Sequence, residues 1–266
     1  MYKFTVRNIT YRFDDLKTLL AKASPYRTGD VLAGIAAETY EERVAAQIAL
    51  ADVPLQKFLD EVLIPYEQDE VTRLIIDNQD INSFYLIGSL TVGSLRDLLL
   101  SEEADTAFLR GMAGGITPEM AAAVSKLMRN QDLIAVAKKC EVVSRFRNTI
   151  GLKGHFSTRL QPNHPTDDPK GVAASMIDGL LYGSGDAVIG INPATDSPAV
   201  VTNLLRLIDN VRQQFEIPTQ SCVLSHITTT LELINKGAPV DLCFQSIGGT
   251  EQTNTSFGVN LYTAFN

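Results

Sequence analysis

The feature that most constrains the fold is an alternation, starting near residue 149, between short runs of β-branched and apolar residues and longer helical stretches. Parallel strands need this spacing, because the chain must cross back over the sheet, usually as a helix, before the next strand begins. Strands are predicted near Thr149 to Leu160, Ala187 to Ile191, Ser221 to Ile227 and Asp241 to Ser246. Helices are predicted near Gly171 to Leu181, Pro198 to Phe215 and Thr229 to Asn235, with Gly237 ending the last of them.

Polar residues follow two of these predicted strands. Arg159 and Gln161 lie at the end of the first strand, and Asn192 and Pro193 follow the second. In a (β/α)8 barrel the side chains that contact a substrate lie where strands end, because the rigid scaffold presents polar groups to a cavity there. The pattern therefore favours a site at the mouth of a barrel.

Two alternatives stay open. A doubly wound sheet would show the same alternation, but its usual Gly-rich loop after the first strand is missing, and Gly183-Ser184-Gly185 precedes a strand and is interpreted as a turn. The polar residues could also belong to an ordinary surface. Arg159 could pair with Asp167 or Asp168, and Asn192 could cap a turn, since Asn-Pro commonly opens turns.

The predicted barrel is incomplete. Only about four strand-helix units fit before the chain reaches residue 266, whereas a closed barrel needs about eight. The sequence thus predicts an α/β fold of the (β/α)8 TIM-barrel type, with its first half at residues 111–266 and a mostly helical region at residues 1–110. Half a barrel leaves two strand edges unpaired, which favours assembly with a complement.

The N-terminal region is expected to be helical after a short opening strand. Four sequence patterns predict the helices, namely an apolar helix face, a run of helix formers, a capping box and a Thr-Pro helix start. One or two helices are expected between Thr117 and about Lys139. The face is Leu16, Leu19 and Leu20, the run is residues 41–53, the capping box is Ser94 with Asp97, and the helix start is Thr117-Pro118.

Charge and hydropathy exclude some functions. A net charge of −8 argues against nucleic-acid binding, since neutralising phosphates needs clustered Lys and Arg. The opening residues lack the apolar core of a signal peptide, and no run of about 18 apolar residues occurs. A soluble, cytoplasmic protein is therefore expected.

The cysteines and histidines predict neither a disulfide framework nor a metal site. The three cysteines are widely separated, which is typical of a reducing compartment, and Cys222 and Cys243 lie in apolar runs and are expected to be buried core residues. His155, His164 and His226 lack the close spacing of metal ligands and are assigned no such role.

Seven segments, in order along the chain, carry a family resemblance. They are Gly29 to Gly34, Glu42 to Ala46, Val71 to Ile75, Phe156 to Asn163, Gly185 to Pro193, Ile217 to His226 and Phe244 to Ile247. Together they closely resemble the large subunit of ethanolamine ammonia-lyase, and the resemblance extends to about Leu261.

This resemblance implies an adenosylcobalamin-dependent radical enzyme that converts ethanolamine to acetaldehyde and ammonia. It also implies a barrel-shaped large subunit that works with a small subunit and with other copies of itself, in the cytoplasm and in a bacterial microcompartment. Carried over by motif, the expected substrate-binding residues are Arg159, Gln161 and Asn192, and the expected cobalamin contacts are Pro193 and Gln245, with Ser246 a weaker candidate.

Arg159 is the predicted catalytic residue. Because arginine does not readily lose its proton, it would act as an electrostatic stabiliser and hydrogen-bond donor near the migrating amino group. The carboxylates that the family supplies from later strands cannot be assigned here, so a C-terminal truncation is expected. The alternative function is a non-catalytic fragment that acts only in assembly, and an aldolase-like barrel is less favoured, because no lysine lies at a strand end for Schiff-base chemistry.

Overall fold

The computed structural model describes residues 1–265. The chain divides into two compact units, the first from Met1 to Glu141 and the second beginning at Val142. The predicted division after residue 110 falls inside a helix of the first unit, Thr106–Met112. No helix within residues 1–265 is both long enough and apolar enough to span a membrane.

The first unit opens with an antiparallel hairpin formed by β1 (Tyr2–Val6) and β2 (Ile9–Phe13). Arg7 and Asn8 form the turn with φ angles of 46° and 66°. Two-residue hairpin turns of one common type have both residues in this left-handed conformation, which matches the twist of the paired strands. The predicted opening strand is confirmed, and β2 is its unpredicted partner.

Helices form the rest of the first unit and enclose its core. Leu16, Leu19 and Leu20 are buried on one face of the first helix, as predicted. Short 3-10 turns lie at Tyr66–Gln68 and Ala113–Gly115. The helices are α1 Leu16–Lys22, α2 Thr28–Leu32, α3 Tyr40–Ala51, α4 Lys57–Asp60, α5 Glu70–Asn78, α6 Ile81–Tyr85, α7 Val92–Leu100, α8 Thr106–Met112, α9 Pro118–Lys126 and α10 Asn130–Lys139.

Two helix starts in this unit test the capping predictions. Thr117 is the N-cap of α9, with Pro118 in the first turn, as predicted. The predicted capping box of Ser94 and Asp97 is wrong. Thr91 caps α7 instead, because its hydroxyl accepts a hydrogen bond from the N–H of Ser94 at 3.1 Å, so that Ser94 already lies inside the helix.

The second unit contains a three-stranded parallel sheet, and a helix follows each strand. A short antiparallel hairpin precedes the sheet. The strands are β3 Ser144–Arg145 and β4 Thr149–Ile150 in the hairpin, and β5 Arg159–Leu160, β6 Val188–Ile191 and β7 Gln220–Val223, in that order, in the sheet. The helices are α11 Pro169–Leu181, α12 Pro198–Gln214, α13 Ile227–Asn235, α14 Glu251–Ser256 and α15 Leu261–Phe265.

The middle of the predicted βαβ pattern is confirmed. The second predicted strand is β6, and the three predicted helices are α11, α12 and α13. Gly237 follows the last of these with a φ of 76°, the conformation that favours glycine after a helix end. The third predicted strand is confirmed only as far as Val223, because His226 caps α13 and directs the chain into the helix.

The first predicted strand is mostly wrong. Residues 149–150 belong to the short hairpin, and only Arg159–Leu160 joins the parallel sheet. Between them Gly151 and Gly154 have φ angles of 92° and 79°. Left-handed backbone interrupts the extended conformation of a strand, so the β-branched pattern does not extend through this segment.

The fourth predicted strand, residues 241–246, is also wrong. The carboxylate of Asp241 accepts a hydrogen bond from the N–H of Ser221 at 2.9 Å, and Leu242 donates one backbone hydrogen bond to the Ser221 carbonyl at 3.1 Å. A side chain therefore takes a donor of β7 that a fourth strand would use. The α/β class holds for this unit, and closure into a barrel stays a prediction.

The two faces of the parallel sheet differ in character. Ile189, Ile191 and Val223 pack with α11 and α12 in the main core of the unit. Alternate strand residues point to opposite faces, so the candidate Arg159 lies on the face away from these helices. In register, that face carries Arg159, Val188, Gly190, Gln220 and Cys222.

Candidate functional site

Arg159 has three distinctive neighbours on this face. At Gly190 of β6, an added Cβ would stand 2.3 Å from the guanidinium carbon. The ring centroid of Phe244 is 5.9 Å from the same carbon. Burial raises the pKa of the Cys222 thiol, and the nearby Arg159 charge opposes that shift. A glycine, an aromatic ring and a thiol therefore surround the guanidinium.

The surface alternative for Arg159 is not found. Asp167 accepts hydrogen bonds from the N–H of Ala194 at 2.8 and 3.0 Å. Asp168 is the N-cap of α11 and accepts from the N–H of Gly171 at 2.9 Å. Within residues 1–265, Arg159 forms an ion pair with neither carboxylate, which leaves its charge available for a bound ligand.

Gln161 and Asn192 follow the ends of neighbouring strands, and both are exposed. Because β5 and β6 are parallel, with Arg159 in register with Val188, their carboxyl ends lie at one edge of the sheet. Asn163 joins the two ends, since its side-chain oxygen accepts a hydrogen bond from the N–H of Asn192 at 2.8 Å. The structure brings these strand ends together, and the binding roles stay predictions.

A cleft of about 390 Å³ lies among the loops that follow β6 and β7 and the segment after residue 241. The three predicted cobalamin contacts line it, namely Pro193, Gln245 and Ser246. Phe244 also lines it, and its ring contacts Arg159. The predicted catalytic residue therefore lies close to the cleft, whereas the other two predicted substrate residues do not line it.

The side-chain amide of Gln245 is engaged at both ends. Its oxygen accepts a hydrogen bond from the N–H of Ile227, the first residue of α13, at 2.9 Å. Its nitrogen donates to the carbonyl of Ser246 at 3.1 Å. An amide nitrogen has two N–H donors, so Gln245 fixes its own segment to a helix start and keeps one donor for a ligand.

His226 lines the cleft, and both nitrogens of its ring form hydrogen bonds within the protein. Its Nε2 lies 2.9 Å from the carbonyl oxygen of Phe257, which can only accept, so Nε2 carries the proton. Its Nδ1 is then an acceptor, 2.8 Å from the hydroxyl of Thr228, and the residue caps α13. With both ring nitrogens engaged, His226 positions the helix start.

A second polar cluster lies at the amino end of β7. The side-chain amide of Gln220 is almost completely buried and donates to the side-chain oxygen of Asn148 at 2.7 Å. Arg147 pairs with Asp241 at 2.7 Å. Burial opposes the ionisation of Asp241, but hydrogen bonds from Arg147 and Ser221 outweigh it and hold the pKa of Asp241 below its ordinary value. These groups satisfy one another, which indicates a structural role.

The cysteine prediction is correct for one residue and wrong for the other. Cys222 is buried in β7. Cys243 is exposed, because its segment does not enter the sheet as a strand and so gains no core position.

The chain is similar to proteins of one family. The family described as ethanolamine ammonia lyase large subunit matches residues 11–264. The ethanolamine ammonia-lyase large subunits of Salmonella typhimurium and Escherichia coli are each 45% identical to the chain over 262 residues. These matches cover 97% of the chain and 57% of each relative, so the chain spans little more than half the length of the curated relatives it matches.

Proposed function

This chain belongs to the ethanolamine ammonia-lyase large-subunit family, and on that basis we propose that it supplies part of the active site of a lyase that converts ethanolamine to acetaldehyde and ammonia. The observation that carries the proposal is the environment of Arg159. Its charge lies beside the ring of Phe244 at the cleft, and a glycine makes room for it. The substrate class is a small vicinal amino alcohol.

Arg159, Gln161 and Asn192 are the proposed substrate-binding residues. Arginine keeps its proton, so Arg159 would stabilise developing charge and donate hydrogen bonds rather than transfer a proton. The two exposed amides offer donors and acceptors to a hydroxyl and an amino group. Contacts that restrict the guanidinium before binding reduce the entropy lost when substrate binds.

Adenosylcobalamin is the proposed cofactor, with Pro193 and Gln245 as contacts and Ser246 as a further candidate. The cleft would contact part of such a group, through a proline ring, an aromatic ring, a hydroxyl and an amide with a spare donor. When bound, the cofactor would supply the radical chemistry. This chain would orient the substrate and help to exclude water.

The proposed partners are the small subunit of the enzyme and further copies of this chain, in the cytoplasm and in a bacterial microcompartment. Within residues 1–265 the parallel sheet has β5 and β7 at its edges. Asp241 and Leu242 already bond to Ser221 on the β7 side, whereas among these residues β5 pairs with β6 alone. Edge strands favour pairing with a complement, which supports assembly. The same proposal includes completion of a (β/α)8 barrel around the Arg159 face.

The test is acetaldehyde release from ethanolamine by the purified chain mixed with a cognate small subunit and adenosylcobalamin. Arg159→Ala should lower kcat/KM by roughly 10²–10³-fold, the loss typical of removing one preorganised donor. Arg159→Lys should recover only part of it, because lysine lacks the planar set of donors. Arg206→Ala is the matched control, since Arg206 is exposed on α12. Turnover by Arg159→Ala equal to that of the control would remove Arg159 from the site.

The second candidate function is assembly without catalysis. The β5 edge of the parallel sheet favours it, because this edge can pair with another chain whether or not turnover occurs. Folded protein that binds the small subunit but releases no acetaldehyde would support this function over the first.

A further inference from the structure

The loop between β5 and α11 binds the turn that follows β6. Asn163 accepts a hydrogen bond from the N–H of Asn192 at 2.8 Å, and Asp167 accepts from the N–H of Ala194 at 2.8 and 3.0 Å. Pro193 lies between them and has no N–H. Both backbone donors of residues 192–194 are therefore bound by side chains of this one loop.

Asp167 is a fixed acceptor rather than a mobile surface group. It is only 8% exposed. Its φ is 55°, a left-handed conformation that Asp and Asn adopt more readily than most other residues. The next residue, Asp168, caps α11 through the N–H of Gly171. The acceptor is thus attached directly to the start of a 13-residue helix.

We propose that Asn163 and Asp167 are positioning residues, which hold Asn192 and Pro193 in the geometry that ligand binding requires. The inference rests on the proposed function, in which Asn192 binds substrate and Pro193 contacts the cofactor. Neither positioning residue needs to touch a ligand. Each acts through the backbone of the turn, and a displacement of about 1 Å in a binding group can cost roughly 10²-fold in rate.

The fold itself depends little on these contacts. Backbone pairing with β5 and β7 secures β6, and neither Asn163 nor Asp167 belongs to the main core. Removing the side-chain acceptors should therefore change the turn more than the stability of the unit. This difference separates a positioning role from a merely structural one.

The experiment compares variants that remove an acceptor with variants that keep one. Asn163→Ala and Asp167→Gly remove it, and glycine tolerates the φ of residue 167 without strain. Asn163→Asp and Asp167→Asn each keep an acceptor oxygen. Two quantities are measured, namely amide-resolved hydrogen exchange of residues 192–194 in the full chain, and KM and kcat for ethanolamine with the small subunit and adenosylcobalamin.

Loss of the acceptor should speed exchange at Asn192 or Ala194 by roughly tenfold, the size expected for one lost hydrogen bond of moderate strength. KM for ethanolamine should also rise, by roughly tenfold, while the urea concentration at the midpoint of unfolding stays nearly constant. The acceptor-keeping variants should restore both quantities. Unchanged exchange, faster exchange with unchanged KM, or failure of the conservative variants to restore either quantity would overturn the proposal.

The exchange measurement does not depend on catalysis. If the wild-type chain shows no turnover, the proposed function fails, and exchange alone decides whether the two side chains hold the turn. If the wild type turns over and only the acceptor-removing variants lose affinity, both proposals stand.

Discussion

At the scale of single residues, the absence of a side chain at Gly190 decides where Arg159 lies. A Cβ at this position would stand 2.3 Å from the guanidinium carbon, a separation that atoms cannot adopt. The guanidinium is the end of a long, flexible side chain, so it can move aside at a cost of about 1 kcal/mol in rotamer strain. Its position would change even though the fold would survive.

Gly190→Ala is therefore expected to lower kcat/KM for ethanolamine by about 10²-fold, with only a small fall in the free energy of unfolding. Gly249→Ala is the matched control, because it lies in the same unit and nothing stands within 4 Å of its added Cβ. Steady-state kinetics and urea unfolding of the two variants provide the check. Equal kinetics would show that turnover does not depend on where Arg159 lies.

Sequence reasoning at this scale found the residues that end strands and missed the residues that hold them. Asn192 is recognisable because it follows an apolar run, and Arg159 because it lies near the end of a predicted strand. Asn163 and Asp167 bond to backbone groups 29 and 27 residues away. Neither apolar periodicity nor strand-end position signals a side chain that accepts from a distant turn.

At the scale of elements, Asp241 explains why a predicted strand is missing and also predicts a pH dependence. Its carboxylate joins Arg147 to the N–H of Ser221, so it ties the segment after Pro239 to β7. In the first predicted strand, Gly151 and Gly154 interrupt the extended backbone with their left-handed conformation. In both cases apolar and β-branched composition predicts strand, and one local contact or backbone conformation overrides it.

The sign of the pH effect follows from the depressed pKa of Asp241. An unfolded Asp titrates near about 3.9, and the folded group titrates below that. The stabilisation is therefore fully present above the unfolded pKa and is lost as pH falls through the folded pKa. This stabilisation is less than about 1 kcal/mol, because solvent screens the partly exposed ion pair between Asp241 and Arg147.

Asp241→Asn, which carries no charge at any pH, should be less stable than wild type at neutral pH. The difference should shrink as the pH falls below about 4. Urea unfolding of both proteins from neutral to acidic pH measures it. A difference that stays constant over that range would show that the charge of Asp241 does not contribute.

At the scale of the whole molecule, the order of the helices and strands follows from local patterns, whereas the division into units depends on contacts between distant residues. The sequence places the change to βαβ texture near residue 149 but the start of the barrel at residue 111, whereas α9 and α10 belong to the compact unit that extends to Glu141. Helices of either unit look alike in sequence, because each has one apolar face. Which core a face joins depends on contacts between residues far apart in the chain.

The two units have separate cores, and this predicts how core mutations act. The buried residues of one core all lie between residues 13 and 124, and those of the other between residues 172 and 233. Leu50 and Ile189 are each fully buried, one in each core. Truncating either side chain to alanine should cost about 2–5 kcal/mol of local stability, since lost contacts and a residual cavity both contribute.

Leu50→Ala is therefore expected to lower amide protection throughout residues 1–141 while leaving β6 and β7 protected. Ile189→Ala should do the reverse. Hydrogen exchange resolved along the chain distinguishes the two, and each variant is the control for the other. Loss of protection in both units from a single substitution would mean that the chain unfolds as one cooperative body. The proposed site at Arg159 would then share its stability with the helical unit, whereas separate responses would show that its stability does not depend on the helical unit.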